Sequence, residues 1–73
     1  MRPTLRQLQY VVAVSETGRF HEAAKRLHVS QPSLSAQIAD VEQQLDVQLI
    51  ERGRNGALMT PHGEDFVRRA RLI

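Results

Sequence analysis

The chain has 73 residues, with ten Lys and Arg against eight Asp and Glu, and no cysteine. A chain this short is one small domain, and 41% hydrophobic with 25% charged residues is a globular composition, not a disordered one. Lack of cysteine excludes disulfides, thiolate metal sites and cysteine nucleophiles, and an unstapled domain of this size points to a reducing, cytoplasmic setting. The longest apolar run is Val11 to Val14, far short of the ~20 residues of a membrane span. No apolar stretch follows Met1-Arg2-Pro3-Thr4, so no signal peptide and no membrane partner are expected. A binding module is the leading class; an enzyme with its own pocket is not expected at this size.

Thr4 is placed to cap a first helix over residues 4–16. Leu5, Leu8, Val12 and Ser15 recur at helical spacing, and Val11 and Val14 widen the stripe. Gly18 permits a left-handed turn and ends it. A short second helix is expected over 21–27, with Ala23, Ala24 and Leu27 inward and Phe20 packing back from just before it as a staple. A tight turn follows, Leu27-His28-Val29-Ser30.

Ser30 is an N-cap candidate, and Pro32 is tolerated in a first turn because no intrahelical donor is lost there. The third helix spans about Gln31 to Leu45. Leu34, Ile38, Val41 and Leu45 fall within about 60° of one another at 100° per residue, which predicts one buried stripe. Leu49-Ile50 and Ala57-Leu58-Met59 read as two short strands around the turn-rich, basic run Arg52-Gly53-Arg54-Asn55-Gly56. Thr60-Pro61 opens a last helix, expected to continue to Ile73 with Phe66, Val67 and Ala70 as its apolar stripe.

Charge is unevenly distributed. Residues 1–30 carry Arg2, Arg6, Arg19, Lys25 and Arg26 against Glu16 and Glu22. Residues 31–50 carry Asp40, Glu42 and Asp46 and no Lys or Arg. Residues 51–73 carry Arg52, Arg54, Arg68, Arg69 and Arg71 against Glu51, Glu64 and Asp65. Charge alone favours a solvated surface over a nucleic-acid partner.

The order of elements adds more. Helix, short helix, tight turn, polar-faced helix and basic hairpin make a mainly α, winged helix-turn-helix. Pro32, Ser33, Ala36, Ala39, Asp40 and Gln43 lie away from the buried stripe, with Gln31, Ser35 and Gln37 at its boundary. Small residues let a helix sit in the ~12 Å major groove, where Gln and Ser bond base edges. The acids lie in the C-terminal half, so the helix should enter by its N-terminus. Taken singly, Ser30, Gln31, Ser33 and Ser35 are ordinary cap and surface residues; as a set on this architecture they point to DNA.

Residues 5–63 resemble the DNA-binding domain of LysR-type transcriptional regulators. The matching residues are Leu5-x-x-Leu8, Gly18-x-Phe20-x-x-Ala23-Ala24-x-x-Leu27 and Val29-Ser30-Gln31-Pro32-Ser33-Leu34-Ser35-x-Gln37-Ile38. Val41-Glu42-x-x-Leu45, Leu49-x-x-Arg52 and Leu58-x-Thr60-x-x-Gly63 complete the set. The resemblance implies a winged helix-turn-helix over 3–60 (helix-turn-helix about 20–39), whose third helix reads double-stranded DNA. It implies that 61–73 begin a linker helix pairing two subunits, and that a small-molecule effector acts through a C-terminal domain expected to be absent here. No cofactor is implied for this chain.

Gln31, Pro32 and Ser35 fall where members contact bases and nearby backbone, and Arg52 and Arg54 fall in the wing. Ser30, Ser33, Ala36 and Gln37 complete the candidate DNA-binding set. Three residues depart from the pattern: Ala36 stands where many members have a basic residue, Asp46 where Gly is usual, and Ile50 where Phe is usual. Asp tolerates the left-handed region better than most residues. Ala36 can offer a base only a methyl contact. His21, His28 and His62 lack metal-ligand spacing, and no serine has a sequence neighbour placed to activate it. The competing function is a winged helix that binds protein instead of DNA.

Overall fold

The computed structural model describes residues 2–73. Its order is α1 (Leu5–Thr17), α2 (Phe20–Leu27), α3 (Gln31–Leu45), β1 (Ile50–Gly53), β2 (Gly56–Met59) and α4 (Pro61–Ala70). Each long helix starts on a hydroxyl residue. Thr4, Ser30 and Thr60 accept the backbone N–H of Gln7, Ser33 and Gly63, which satisfies donors a helix start otherwise leaves open. Thr4 and Gln7 form a reciprocal capping box. Gly18, His28 and Asp46 end α1, α2 and α3 in the left-handed conformation, so Asp46 performs the turn expected of it.

The core is aliphatic with two aromatic members. Val11 and Val14 of α1, Leu34, Ile38 and Val41 of α3, Leu49 and Val67 are all buried, joined by Tyr10 and Phe20. Three expectations change here. The buried face of α1 runs through Gln7, Tyr10, Val11 and Val14, and Leu5 is 62% exposed. Packing against α2, α3 and α4 together chooses this side, leaving Leu8 and Val12 half-covered. Leu45, in the same stripe as Leu34, is 37% exposed: it is the last residue of α3 and the chain turns away there. Phe20 lies inside α2 as its first residue, with Arg19 as an N-cap that makes no side-chain bond.

The strands pair antiparallel with Ile50 opposite Met59, Arg52 opposite Ala57 and Gly53 opposite Gly56. The first strand therefore starts at Ile50 and runs three residues further toward the turn than the sequence pattern shows, the second one residue further, and Arg54-Asn55 form the two-residue connection. Ile50, Arg52, Ala57 and Met59 share one face, because side chains alternate. That face lies on the core, which Ile50 joins directly while Ala57 and Met59 pack against it. Ala57 N–H donates to Gly18 O at 2.8 Å. Gly56 sits so close that a Cβ would lie 2.5 Å from the same oxygen. Glu42 accepts the N–H groups of Leu49 and Ile50 at 2.7 and 3.2 Å, so α3 holds the start of the hairpin.

Helix α4 ends at Ala70, not Ile73. Its Val67 is buried and Phe66 packs against the core, so the apolar stripe serves this domain. Leu72 and Ile73 beyond it are exposed. Glu16 clasps the two sides, accepting Arg26 at 2.7 Å and Arg71 at 3.2 Å. Asp65 pairs with Arg68 and Arg69; the hydrogen bond from Arg68 is the largest influence holding its carboxyl below the usual carboxylate range.

Thr60 joins the hairpin to α4, donating to Gln48 O at 2.6 Å. Gly63 follows, and a Cβ there would lie 2.0 Å from Leu49 O. That oxygen already accepts Thr60 N–H and cannot move freely. Gly63→Ala is expected to cost on the order of 2–3 kcal/mol through backbone displacement. Denaturant unfolding checks this; a variant as stable as the parent would show that the α4 junction has slack.

Candidate nucleic-acid interface

The start of α3 is preorganised by its own serines. Ser30 Oγ accepts Ser33 N–H at 3.1 Å, and its hydroxyl donates to Ser33 Oγ at 2.9 Å. Pro32 occupies the first turn, where its missing N–H leaves no gap. Pro32, Ser33 and Ala36 are exposed on the side of the helix away from buried Leu34 and Ile38, and Gln31 and Gln37 are exposed on its two flanks. The N-terminal end of α3 thus offers short polar and apolar groups on a rigid rod, with the positive end of the helix dipole behind them.

Three further candidate side chains, Ser35, Gln37 and Arg52, already have protein partners. Ser35 accepts a hydrogen bond from Arg52 Nη2 at 2.5 Å. Gln37 Oε1 accepts one from Gln7 Nε2 at 2.9 Å. Arg52 also lays its guanidinium over the Phe20 ring, 3.9 Å from the centroid. It therefore ties the wing to both α2 and α3, in place of the ion pair a basic residue at a strand base would suggest. Arg54, at the tip, is exposed and makes no hydrogen bond or ion pair among the described residues.

Gln31, Arg52 and Arg54 come together with Arg19 and His21 around a groove of about 300 Å³ between the start of α2, the start of α3 and the wing. No acidic side chain lines it. The two acids of α3 have partners within the protein: Asp40 accepts from Gln7 and Gln44, and Glu42 holds the hairpin backbone. Arg19 and His21 were not expected at this site. Their proximity to the wing follows from Gly56 resting on Gly18, a contact with no local signal in the sequence. Among the described residues, no three His, Asp or Glu side chains gather to hold a metal ion. No helix described is long and apolar enough to cross a membrane.

A helix-turn-helix with a hairpin wing, and a basic groove at the junction, define the winged helix-turn-helix class of regulator domains. Residues 5–64 match the model of the bacterial regulatory helix-turn-helix proteins of the lysR family, and the chain belongs to that family. HTH-type transcriptional regulator EstR of Acinetobacter baylyi is 48% identical over 71 residues, 97% of this chain and 24% of the relative. HTH-type transcriptional regulator TfdS of Cupriavidus pinatubonensis is 48% identical over 68 residues, 93% of this chain and 23% of the relative. The chain thus spans about a quarter of the length of these curated relatives. Among solved structures, a complex of the CbnR DNA-binding domain with DNA superposes with a TM-score of 0.91 at 45% identity, covering 94% of this chain and 79% of that one. The BenM DNA-binding domain bound to catB site 1 DNA gives 0.90 at 43%, covering 94% and 78%.

Replacing Arg52 tests the stacked junction. Arg52→Ala is expected to lower stability by about 1–2 kcal/mol through loss of the stack and the Ser35 bond. Arg52→Lys should recover little of this, because an ammonium does not stack as a planar guanidinium does. Thermal unfolding of both variants gives the answer; full rescue by Lys would mean that charge alone, and not the stack, holds the wing.

Proposed function

We propose that this chain is the DNA-binding unit of a bacterial LysR-type transcriptional regulator and recognises double-stranded DNA sequence-specifically. Helix α3 enters the major groove by its N-terminus, and the wing lies on the backbone or in the minor groove. The observation that carries this is the acid-free groove where Arg19, Arg52 and Arg54 meet Gln31. Phosphate charge is answered by the arginines, and base edges by the short polar residues beside them. Support comes from the CbnR and BenM domains, whose solved structures are complexes with DNA.

Ser30, Gln31, Pro32, Ser33, Ser35, Ala36, Gln37, Arg52 and Arg54 make up the proposed surface, joined by Arg19 from the same groove. Ser30 and Arg52 act mainly by holding their elements in place, given the bonds they already make. The chain acts as a binding module, not an enzyme, requires no cofactor, and works in the cytoplasm where bacterial DNA lies. A protein-binding winged helix would lack the steep salt dependence that follows from displacing counterions.

Two variants test the surface by competition binding across a salt series. Arg54→Ala should flatten the slope of log K against log salt by about 0.9 on cognate and random DNA alike. Gln31→Ala should leave random-DNA affinity in place and lose about 1–3 kcal/mol of discrimination at one base pair. Unchanged slopes with Arg54→Ala would remove the wing tip from the interface. Equal weakening of all sequences by Gln31→Ala would make that residue a backbone anchor.

The working regulator is, on this proposal, a homodimer joined through the helix that α4 begins, with a small-molecule effector acting through regions beyond this chain. Only Leu72 and Ile73 extend exposed apolar surface past Ala70, and short helices without packing are marginal. Sedimentation at micromolar concentration is therefore expected to show mostly monomer. A tight dimer in free solution would place a strong interface on this domain itself.

A further inference from the structure

The amide of Gln37, on an exposed flank of α3, is oriented by hydrogen bonds that begin in α1. Thr4 N–H, a backbone donor that cannot reverse, is accepted by Gln7 Oε1 at 3.0 Å. The NH2 of Gln7 therefore faces α3. Its two protons are both used, one on Gln37 Oε1 at 2.9 Å and one on Asp40 Oδ2 at 2.7 Å. Asp40 Oδ2 also accepts Gln44 Nε2 at 2.9 Å. Turning the Gln7 amide over would set its oxygen against the Asp40 carboxylate and leave Thr4 N–H facing an NH2 group. Gln44 keeps its own orientation although its Oε1 is buried without a partner. Gln7 is buried, so its own donors and acceptor depend on these protein partners. One arrangement of donors satisfies the set, and it turns the oxygen of Gln37 inward and its NH2 outward.

We propose that Gln7 is a positioning residue for base recognition: it fixes Gln37 as a hydrogen-bond donor toward the major groove. A freely rotating Gln offers oxygen and nitrogen together and pairs with both N6 and N7 of adenine. With its oxygen held inward, Gln37 favours bases that present acceptors alone, the O6 and N7 of guanine or the O4 of thymine. This rests on α3 being the helix that faces DNA.

The test selects bound duplexes from a random pool with four chains: wild type, Gln37→Ala, Gln37→Glu and the double variant Gln7→Glu/Asp40→Asn. Wild type should prefer guanine or thymine at one position, and Gln37→Ala should flatten that position by about ten-fold without changing the others. Gln37→Glu still accepts from Gln7 but turns an oxygen outward, so that position should change to cytosine, whose N4 donates. The double variant keeps Gln37 and the net charge while reversing the donors. The carboxylate introduced in α1 accepts, the NH2 of Gln37 turns inward, and preference should move to adenine or cytosine. If the double variant keeps the wild-type base while Gln37→Ala flattens it, Gln7 does not orient the reader and the proposal fails. It fails equally if Gln37→Ala flattens nothing while wild type still selects a sequence. A wild type that selects no sequence overturns the DNA-reading function of α3 as well. Should the double variant not fold, side-chain amide exchange in the wild type decides by NMR. The Gln7 NH2 should be protected and the Gln37 NH2 should exchange freely; the reverse order overturns the proposal.

Discussion

The Arg52 guanidinium, stacked 3.9 Å over Phe20 and bonded to Ser35, is the junction on which the geometry of the surface depends. A two-stranded hairpin is marginal by itself in water. Four residues per strand cannot hold a position relative to α3 unless something else fixes them. Arg52 supplies one tie, Ala57 N–H on Gly18 O a second, and Glu42 on the N–H groups of Leu49 and Ile50 a third. These reach α2, the α1–α2 turn and α3 respectively. The distance from Gln31 to the wing arginines is thus set by the protein before any nucleic acid arrives, which lowers the ordering cost of binding.

A second set of polar contacts fixes α3 from the other side. Gln7, Gln37, Asp40 and Gln44 bridge α1 and α3. Apolar packing through Val11, Val14, Leu34 and Val41 holds the two helices together without specifying rotation finely. Directional bonds do specify it, at the cost of one buried orphan, Gln44 Oε1. Such an orphan costs about 1–3 kcal/mol, so the network contributes more to uniqueness of geometry than to stability.

What was legible in the sequence was local. Thr4, Ser30 and Thr60 as caps, Gly18 as a terminator, Pro32 and Pro61 in first turns, and the winged helix-turn-helix order all depend on neighbours within a few residues. What was hidden depends on long-range approach. The periodicity of α1 shows an apolar stripe but not which flank α2, α3 and α4 cover, so Leu5 looks internal and is not. Leu45 has the right angle on the helix but lies where the chain departs. Arg52 reads as a wing contact or as a structural ion pair at the wing base, because nothing in its own segment reveals Phe20 or Ser35 as its partners. Ser35 and Gln37 read as free readers for the same reason.

Net charge is the clearest case of composition concealing mechanism. A formal +2 says little, because coupling to phosphate depends on which cations lack a counter-charge nearby. Glu16 takes up Arg26 and Arg71, and Asp65 takes up Arg68 and Arg69. Those four arginines stabilise the helical body at exposed sites, where each pair contributes little. Arg19, Arg52 and Arg54 have no ion pair among the described residues, and all three line one groove. Four arginines around α1, α2 and α4 thus share two carboxylates. Among the described residues, Arg6 and Lys25 stand without an ion pair on α1 and α2, and three arginines without an ion pair meet at the wing. Charge that would otherwise give diffuse attraction is concentrated beside the start of α3, the helix end proposed to meet the bases.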